Sequence, residues 1–240
     1  MKKDNLFTLT AAPEKFEFNA SVARVFDDML ERSIPLYREC QEMVIRWAAK
    51  YAREGSCVYD LGCSTGTLLS LLAHALAGRE GLRLVGVDNS EPMLDKARGK
   101  LRNAPLPCQL VCADLNADFP LTGASVVVLN YTLQFLPPGR RPRLAQHIYQ
   151  GLNPGGCLIA VEKVHGENAE LDRSFAEFHD EFKISRGYSQ LEISRKREAL
   201  ENVLTPWTLE QNRALLKIAG FASAEVFFKW NNFAGFVALK

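Results

Sequence analysis

The 240-residue sequence lacks any apolar run of the length that a membrane-spanning helix needs. No apolar segment follows the first residues, Met-Lys-Lys-Asp, so we expect neither a secretory signal peptide nor contact with a membrane. Neither sign of charge is in excess, because the formal net charge is +1. The sequence therefore gives no general electrostatic indication of binding to nucleic acid or to an acidic membrane, and a local basic patch stays open as an alternative.

Cysteine and histidine are few and scattered. The closest of the six cysteines, Cys108 and Cys112, lie in a strand-like segment without companion ligands, so we expect no metal site. Several cysteines fall in such segments, where they act as small core residues, and reduced cytosolic thiols fit this pattern. The four histidines are isolated, and no Ser/His/Asp pattern occurs. We therefore expect a cytoplasmic protein that uses no metal.

A glycine-rich turn is the most informative segment that is present. Residues 58–66, Val-Tyr-Asp-Leu-Gly-Cys-Ser-Thr-Gly, predict a buried strand and a turn, and residues 67–77 predict a helix. This arrangement is typical of nucleotide sites. Gly62 would allow the sharp turn, Gly66 would let the helix pack close to the strand, and the free N–H groups of the helix would face the ligand. Ordinary βα units also contain such turns, so a purely structural role stays open.

A second apolar segment, residues 84–87, leads to Asp88 and Asn89. It follows the turn by roughly 25 residues, where a carboxylate accepts hydrogen bonds from the ribose hydroxyls of a dinucleotide or of S-adenosylmethionine. Ser64 stands where a dinucleotide site has the glycine that lets the backbone approach a pyrophosphate. The turn therefore favours S-adenosylmethionine, which has no pyrophosphate.

Three further strand-like segments occur at residues 109–113, 125–130 and 157–161. Asp114 and Leu115 follow the first of them and would meet an adenine amino group, because ligands bind beyond the carboxyl ends of parallel strands. An ordinary loop acid is the alternative. Asn130 ends the second and would lie next to the reactive group of a ligand, although polar residues are also common in turns after strands.

The alternation of strands and helices predicts an α/β fold with a doubly wound, mostly parallel, seven-stranded sheet. Residues 224–230 and 233–239 predict a closing hairpin with an antiparallel C-terminal strand, which is typical of methyltransferases and unusual in dinucleotide dehydrogenases. Between the fourth and fifth strands, residues 140–152 predict a helix, and the Asn-Pro-Gly-Gly sequence at 153–156 would end it.

The N-terminal region precedes the sheet. Residues 1–18 predict an irregular arm, and residues 20–32 and 35–53 predict two helices, with Pro35 in the first turn of the second. Such helices commonly cover the open top of a sheet as a lid. Tyr37 is therefore either a core aromatic residue or part of a lid over the ligand.

Two charged helices are predicted after the fifth strand, at residues 167–183 and 191–203. The second contains Arg-Lys-Arg at residues 195–197. A solvated helix face is the ordinary explanation for this cluster, and capture of a carboxylate by an arginine is the functional alternative. We predict a single domain over residues 1–240, with the arm and N-terminal helices over 1–54 and a helical insertion over 165–205.

Together these residues resemble the class I S-adenosylmethionine-dependent methyltransferases, and within them the family of carboxy-S-adenosyl-L-methionine synthases. The resemblance covers nearly the whole chain. The glycine turn is generic to the superfamily. The segments specific to the family are residues 32–37, 127–136 and 187–194.

The resemblance implies a reaction and its partners. Enzymes of this family make carboxy-S-adenosyl-L-methionine from S-adenosylmethionine and prephenate, and they release phenylpyruvate. A tRNA carboxymethyltransferase then uses the product to form 5-oxyacetyluridine at the tRNA wobble position, so we expect no direct tRNA binding by this chain. Relatives form homodimers, which implies a homodimer here.

The chemistry suggested for the family needs little acid–base machinery. The sulfonium acidifies its methyl protons, so loss of one gives a ylide that captures carbon dioxide. Prephenate supplies the carbon dioxide and a hydroxide as it aromatises, and the hydroxide would act as the base. The protein would then hold the reactants together and exclude water, which agrees with the lack of an obvious catalytic constellation in the sequence.

Carried over residue by residue, the resemblance implies ten ligand contacts, of which Tyr37 and Arg197 would be the catalytic ones. The contacts are Gly62, Cys63 and Ser64 for the methionine part, Asp88 and Asn89 for the ribose, Asp114 and Leu115 for the adenine, Asn130 and Tyr37 for the sulfonium and amino-acid end, and Arg197 for the new carboxylate.

Two other functions stay open. A conventional methyltransferase would act on a small molecule or on tRNA, although the near-neutral charge weakens the tRNA alternative because phosphate contacts need clustered lysine and arginine. A non-catalytic S-adenosylmethionine-binding protein is the other alternative, and the polar residues at every strand end argue against it. Arg197 separates a synthase from a methyltransferase, since a methyl donor presents no additional carboxylate.

Overall fold

The central strands of the structure are apolar segments that are buried along most of their length. The structure is a computed structural model and describes residues 2–8 and 15–240. Its strands are β1 Cys57–Leu61, β2 Arg83–Asp88, β3 Cys108–Cys112, β4 Ala124–Asn130, β5 Leu152–His165, β6 Trp207–Thr208, β7 Ser223–Trp230 and β8 Phe233–Leu239. Its helices are α1 Ala20–Ser33, α2 Tyr37–Tyr51, α3 Thr67–Ala75, α4 Glu91–Leu101, α5 Arg141–Gly151, α6 Ala169–Ser185, α7 Gln190–Leu200 and α8 Leu209–Ala219.

The sheet has the strand order β3-β2-β1-β4-β5-β8-β7. The pairs from β3 to β5 are all parallel, and β8 runs antiparallel to both β5 and β7. The predicted doubly wound, mostly parallel, seven-stranded sheet with an antiparallel C-terminal strand is therefore confirmed. Chain order reverses between β1 and β4, and ligands of such sheets bind beyond the carboxyl ends of the strands at this point.

Helices cover the two faces of the sheet. On one face, Val44 of α2 and Leu69 of α3 belong to a buried apolar cluster with residues of the central strands. On the other face, Leu144 of α5 and Leu215 of α8 belong to a second cluster. The apolar strands are thus shielded from water on both sides, which explains why they read as nearly continuous apolar runs.

The N-terminal arm packs through a third apolar cluster. Phe7 and Phe16 lie in it together with residues of α1, α4 and α7. The Phe16 N–H donates to the Ala199 carbonyl at the end of α7, over 2.8 Å. Residue 1 and residues 9–14 of the predicted arm lie outside the described residues. The arm therefore connects α1 to the insertion that follows β5.

The structure corrects two details of the predicted helices, namely the place of Pro35 and the role of residues 153–156. Helix α2 begins at Tyr37, and Pro35 is not in its first turn, because Leu36 adopts a left-handed conformation with φ of 52°. Helix α5 ends at Gly151, and residues 153–156 belong to the long strand β5. The end of the chain explains this extension, since Gly155 donates to the Lys240 carbonyl and Lys240 donates to the Gly156 carbonyl.

The insertion after β5 contains the two predicted helices, α6 and α7. Ser189 caps α7, because its hydroxyl accepts from the Glu192 N–H while the Glu192 carboxylate accepts from the Ser189 N–H. The two-residue strand β6 pairs with the end of β5 and is too short to give a sequence pattern. The assignment of one domain, and its divisions at 1–54 and 165–205, stays a prediction.

Gly86 in β2 provides a test of the packing. An added Cβ would approach Leu69, Cys63 and Leu110 within 2.8–2.9 Å. We expect Gly86→Ala to lower the free energy of unfolding by about 1–3 kcal/mol, because the core has no room for the methyl group. The matched control is Gly99→Ala in α4, where the added Cβ meets open space. It should raise stability by up to about 1 kcal/mol. Denaturant unfolding measures both, and equal effects would contradict this packing.

Candidate functional site

A cavity of about 860 Å³ opens at the carboxyl ends of the parallel strands, beneath residues of α1, α2, α6 and α7. All ten residues that the sequence analysis assigns to the site line this cavity, although their individual roles stay predictions. They are Tyr37, Gly62, Cys63, Ser64, Asp88, Asn89, Asp114, Leu115, Asn130 and Arg197.

The glycine turn after β1 is tightly enclosed. Gly62 has φ of 79°, and an added Cβ would lie 2.4 Å from the Thr132 hydroxyl. Gly66 has φ of 73°, and an added Cβ would lie 2.8 Å from the Cβ of Ala97 in α4. An added side chain would therefore collide with α4, and the expectation that Gly66 lets α3 pack close to the strand stays a prediction. The backbone N–H of Gly62 donates to the Val87 carbonyl over 2.7 Å, which fixes the turn on β2.

Asp88 joins this turn to the next helix. Its carboxylate accepts from the Ser64 N–H and from the Ser90 N–H, both over 2.9 Å. Burial raises the pKa of Asp88, although these amide hydrogen bonds act in the opposite direction. The two bonds hold the carboxylate at the end of β2, beside Asn89, with oxygen lone pairs left for further donors. This arrangement suits the predicted contact with ribose hydroxyls.

Asp60 is a site residue that the sequence analysis did not select. It lies in β1, is 2% exposed and lines the cavity. Its carboxylate forms no hydrogen bond or ion pair among the described residues. Burial, and then the negative charge of Asp88, raises the pKa of Asp60 to about 7. The signal was visible in the sequence, because an acid inside an apolar strand is costly unless a partner or ligand compensates it.

The third strand contributes the outer end of the cavity. The Asp114 carboxylate accepts from the backbone N–H and the side-chain amide of Asn116, both over 2.9 Å. Leu115 is partly buried against the core. The Ala113 N–H donates to the Asp88 carbonyl over 3.0 Å, so this segment continues the edge of the sheet. Its position beyond the carboxyl end of β3 is the one expected for an adenine contact.

A buried acid fixes the loop after β4. Glu162 accepts from the Leu133 N–H over 2.8 Å and from the Gln134 N–H over 3.0 Å, and burial raises its pKa to about 8. The loop begins at Asn130, whose side-chain oxygen is buried without a hydrogen-bond partner among the described residues. Tyr131 follows with φ of 59°. A buried acceptor without a donor costs free energy, so Asn130 fits a position that a ligand donor satisfies.

Tyr37 opens α2 and is buried. Its hydroxyl accepts from the Gln41 side-chain amide over 2.9 Å. Burial, and then Asp27, raises the pKa of Tyr37, so the phenol stays protonated at neutral pH. The hydroxyl proton therefore remains to be donated to a group in the cavity.

Helix α7 directs its three basic residues differently. Arg197 is 65% exposed at the cavity rim and donates to the Asp180 carboxylate of α6. The Lys196 ammonium donates inward to the Ser33 hydroxyl over 2.9 Å, and burial lowers its pKa to about 8. Arg195 donates to the Phe7 carbonyl over 3.1 Å. These three residues are therefore not a uniformly solvated helix face.

Lys163 at the end of β5 is a second residue that the sequence analysis did not select. It lines the cavity, and burial, followed by the positive charge of Lys183, lowers its pKa to about 8. Lys183 also lines the cavity and pairs with Asp180 over 2.7 Å. The signal for Lys163 was a charged residue near the end of a long apolar strand.

Charge is divided between two groups of cavity-lining residues. We call Asp60, Asp88 and Asp114 the acidic end, and Lys163, Lys183, Lys196 and Arg197 the basic end. Glu198 and Glu201 also line the cavity beside α7. Within residues 2–8 and 15–240, no group of three or more His, Cys, Asp or Glu side chains could hold a metal ion.

None of the helices in the described part of the chain combines the length and the apolar composition that a membrane span requires.

Comparisons with known sequences identify close relatives. A family model described as a methyltransferase domain matches residues 58–156. The carboxy-S-adenosyl-L-methionine synthase of Methylococcus capsulatus is 46% identical over 243 residues, covering 100% of both chains. The proteins of the same name from Desulfotalea psychrophila and Helicobacter hepaticus are 43% and 44% identical, covering 100% and 99% of this chain and 98% and 100% of theirs.

Solved structures with lower identity share the fold. An S-adenosylmethionine-dependent methyltransferase from Aquifex aeolicus superposes with a TM-score of 0.60 at 15% identity, covering 93% of this chain and 99% of that one. The methyltransferase SibL in its apo form gives a TM-score of 0.63 at 16% identity, and this chain spans 63% of its length. These neighbours support a class I methyltransferase fold.

Asp60 generates a prediction on pH. We expect S-adenosylmethionine to bind more tightly as the pH rises through about 7, because a carboxyl group must lose its proton to face the sulfonium and ammonium cations. Below that pH, affinity should fall by up to about tenfold per unit. Asp60→Asn should flatten this profile and weaken binding at pH 7.5. Asp88 also has a raised pKa and lines the same cavity, but it is present in both the wild type and Asp60→Asn. A difference between their pH profiles therefore reports on Asp60.

Calorimetry between about pH 5.5 and 7.5, in buffers of different ionisation enthalpy, measures affinity and proton release together. The same pH profile and the same proton release in both proteins would contradict this role for Asp60.

Proposed function

The chain belongs to the family of carboxy-S-adenosyl-L-methionine synthases, and from this premise we propose that its substrates are S-adenosylmethionine and prephenate. The products are carboxy-S-adenosyl-L-methionine and phenylpyruvate. Prephenate loses one carboxylate as carbon dioxide and one hydroxide. The carbon dioxide bonds to the S-methyl carbon, and the proton that leaves this methyl group combines with the hydroxide to give water.

The division of the cavity into an acidic and a basic end carries this proposal. S-adenosylmethionine is a cation at its sulfonium and ammonium groups and carries ribose hydroxyls that Asp88 would bind, so it fits the acidic end. Prephenate is a dianion and the product carries a new carboxylate, so both fit the basic end. Transfer of a methyl group to a neutral acceptor needs no such basic end, which disfavours a conventional methyltransferase.

The remaining residues would hold the reactants and exclude water. Gly62, Cys63 and Ser64 would line the methionine part, and Asn130 and Tyr37 would contact its reactive end. Helices α1, α2, α6 and α7 contribute residues that enclose the cavity. Enclosure matters because bulk water would compete for the reactive carbon and quench it.

We also propose a homodimer in the cytoplasm whose product passes to a tRNA carboxymethyltransferase. Large apolar side chains are exposed on α6 and α7, namely Leu171 (56%), Phe178 (49%), Ile184 (44%) and Leu191 (57%), which supports a contact with a second copy. Binding to tRNA phosphates needs an excess of positive charge, and this chain has a net charge of only +1. The charge therefore supports a protein that makes the donor molecule and leaves tRNA binding to the next enzyme.

Mass spectrometry of the reaction tests the proposal. Purified protein incubated with S-adenosylmethionine and prephenate should yield a species heavier than S-adenosylmethionine by one carbon dioxide, together with phenylpyruvate. Incubation without prephenate is the control and should yield neither. Heat denaturation of the protein before analysis releases ligand that copurifies. Unmodified S-adenosylmethionine in both incubations would overturn the synthase and direct the search to methyl acceptors.

Arg197 generates a further prediction. Arg197→Ala should weaken binding of the carboxylated product by about 1.5 kcal/mol relative to S-adenosylmethionine. This is the lower end of the range for hydrogen bonds to charged groups, because Arg197 is 65% exposed and already pairs with Asp180. Arg213→Ala on α8, also exposed, is the matched control and should change neither affinity. Equal losses for both ligands, by calorimetry, would remove Arg197 from this role.

A further inference from the structure

Lys163 is a half-buried cation whose ammonium group contacts no acceptor among the described residues. Its backbone N–H donates to the Gln134 side-chain oxygen over 2.7 Å, but its ammonium group makes no hydrogen bond or ion pair among the described residues. The side chain lines the cavity at the end of β5. A cation removed from water without a counter-charge destabilises the fold, so its position calls for an anion that arrives with a ligand.

The surroundings of Lys163 increase the positive charge. Lys183, Lys196 and Arg197 line the same cavity. The Asp180 carboxylate forms ion pairs with two of them, Lys183 and Arg197. His179 adds no charge, because burial lowers its pKa to about 3. Glu198 and Glu201 are exposed but also line the cavity, so together with Asp180 three carboxylates stand against the four basic side chains. The basic end thus has more positive than negative charge.

The sheet separates this charge from the nucleoside contacts. Asp60 lies in β1 and Lys163 in β5, with β4 between them. Neighbouring strands are about 4.8 Å apart, so β1 and β5 are separated by roughly 10 Å, and Lys163 also lies four residues beyond Ile159, the β5 residue level with Asp60. Asn130, at the end of β4, stands between the two ends. A ligand held by Lys163 would therefore lie beside S-adenosylmethionine and not overlap its nucleoside.

We propose that Lys163, supported by Lys183 and Lys196, binds a carboxylate of the second substrate, a small dicarboxylate. This inference rests on the proposed function and assigns the part of the cavity that the second substrate occupies. Arg197 keeps its separate role toward the carboxylate of the product.

Reaction chemistry decides which of the two carboxylates Lys163 binds. One carboxylate leaves as carbon dioxide, and a lysine that bound it would stabilise the charged ground state and slow its loss. The other carboxylate stays on the molecule through the reaction and is present in phenylpyruvate. Lys163 therefore binds the carboxylate that is retained, and phenylpyruvate should compete with prephenate at this position.

Lys163→Met tests the inference, because methionine has a similar shape and no charge. We expect the KM for prephenate and the inhibition constant of phenylpyruvate each to rise by about tenfold or more, which corresponds to a lost charge-assisted contact. The dissociation constant of S-adenosylmethionine, by calorimetry, should stay within about twofold of the wild-type value. Lys217→Met on α8, an exposed lysine, is the matched control and should change none of these constants.

A stability measurement separates binding from a structural role. Because the unpaired cation destabilises the protein without ligand, Lys163→Met should unfold at the same temperature as wild type or higher. Lys163→Arg, which retains the charge, should recover most of the prephenate affinity. If Lys163→Met does not fold, Lys163→Gln replaces it, and the same changes in the KM for prephenate and in the inhibition constant of phenylpyruvate are expected.

The failures of the two proposals are distinguishable. A wild-type protein that forms no carboxylated product from prephenate would overturn the proposed function, and this inference with it. A wild-type protein that forms the product, with unchanged constants for prephenate and phenylpyruvate in Lys163→Met, would overturn the inference alone. An equal loss of S-adenosylmethionine affinity in Lys163→Met would also overturn it, because Lys163 would then serve the nucleoside site.

Discussion

Parallel pairing of five strands is the constraint on which the site depends. Since β1 to β5 all run in one direction, the residue that ends each strand reaches the same edge of the sheet. Asp88, Asn130 and Lys163 are far apart in sequence and meet at one cavity for this reason. The antiparallel strand β8 then covers the exposed side of β5, and its first residue, Phe233, lines the same cavity beside Lys163.

The cavity holds polar groups that the protein alone leaves uncompensated. Among the described residues, the ionisable side chains of Asp60 and Lys163 form no hydrogen bond or ion pair, and the Asn130 side-chain oxygen has no donor. Each of these groups opposes folding, and the apolar clusters on the two faces of the sheet offset that cost. Binding and stability are therefore in opposition at these positions, and substrates would supply the missing partners.

Sequence patterns predicted the fold and the strand ends, because short apolar segments followed by polar residues identify buried parallel strands. A charged residue in or next to an apolar strand marks Asp60 and Lys163 as unusual, but only their neighbours in space show that both face the cavity. Sequence patterns also could not orient residues 195–197. Consecutive helical residues point about 100° apart, and only the packing of α7 decides that Lys196 faces inward. The extension of β5 through residues 153–156 depends on pairing with the distant Lys240.

The position of β8 between β5 and β7 affects how the protein is made. Strand β5 emerges from the ribosome well before β8, because α6, α7, β6, α8 and β7 come between them. Until β8 arrives, one edge of β5 has unpaired backbone groups that are able to pair with another chain. The helical insertion follows β5 directly and is synthesised during this interval. When several chains are synthesised close together on one messenger, this open edge of β5 would therefore be a place for pairing between chains.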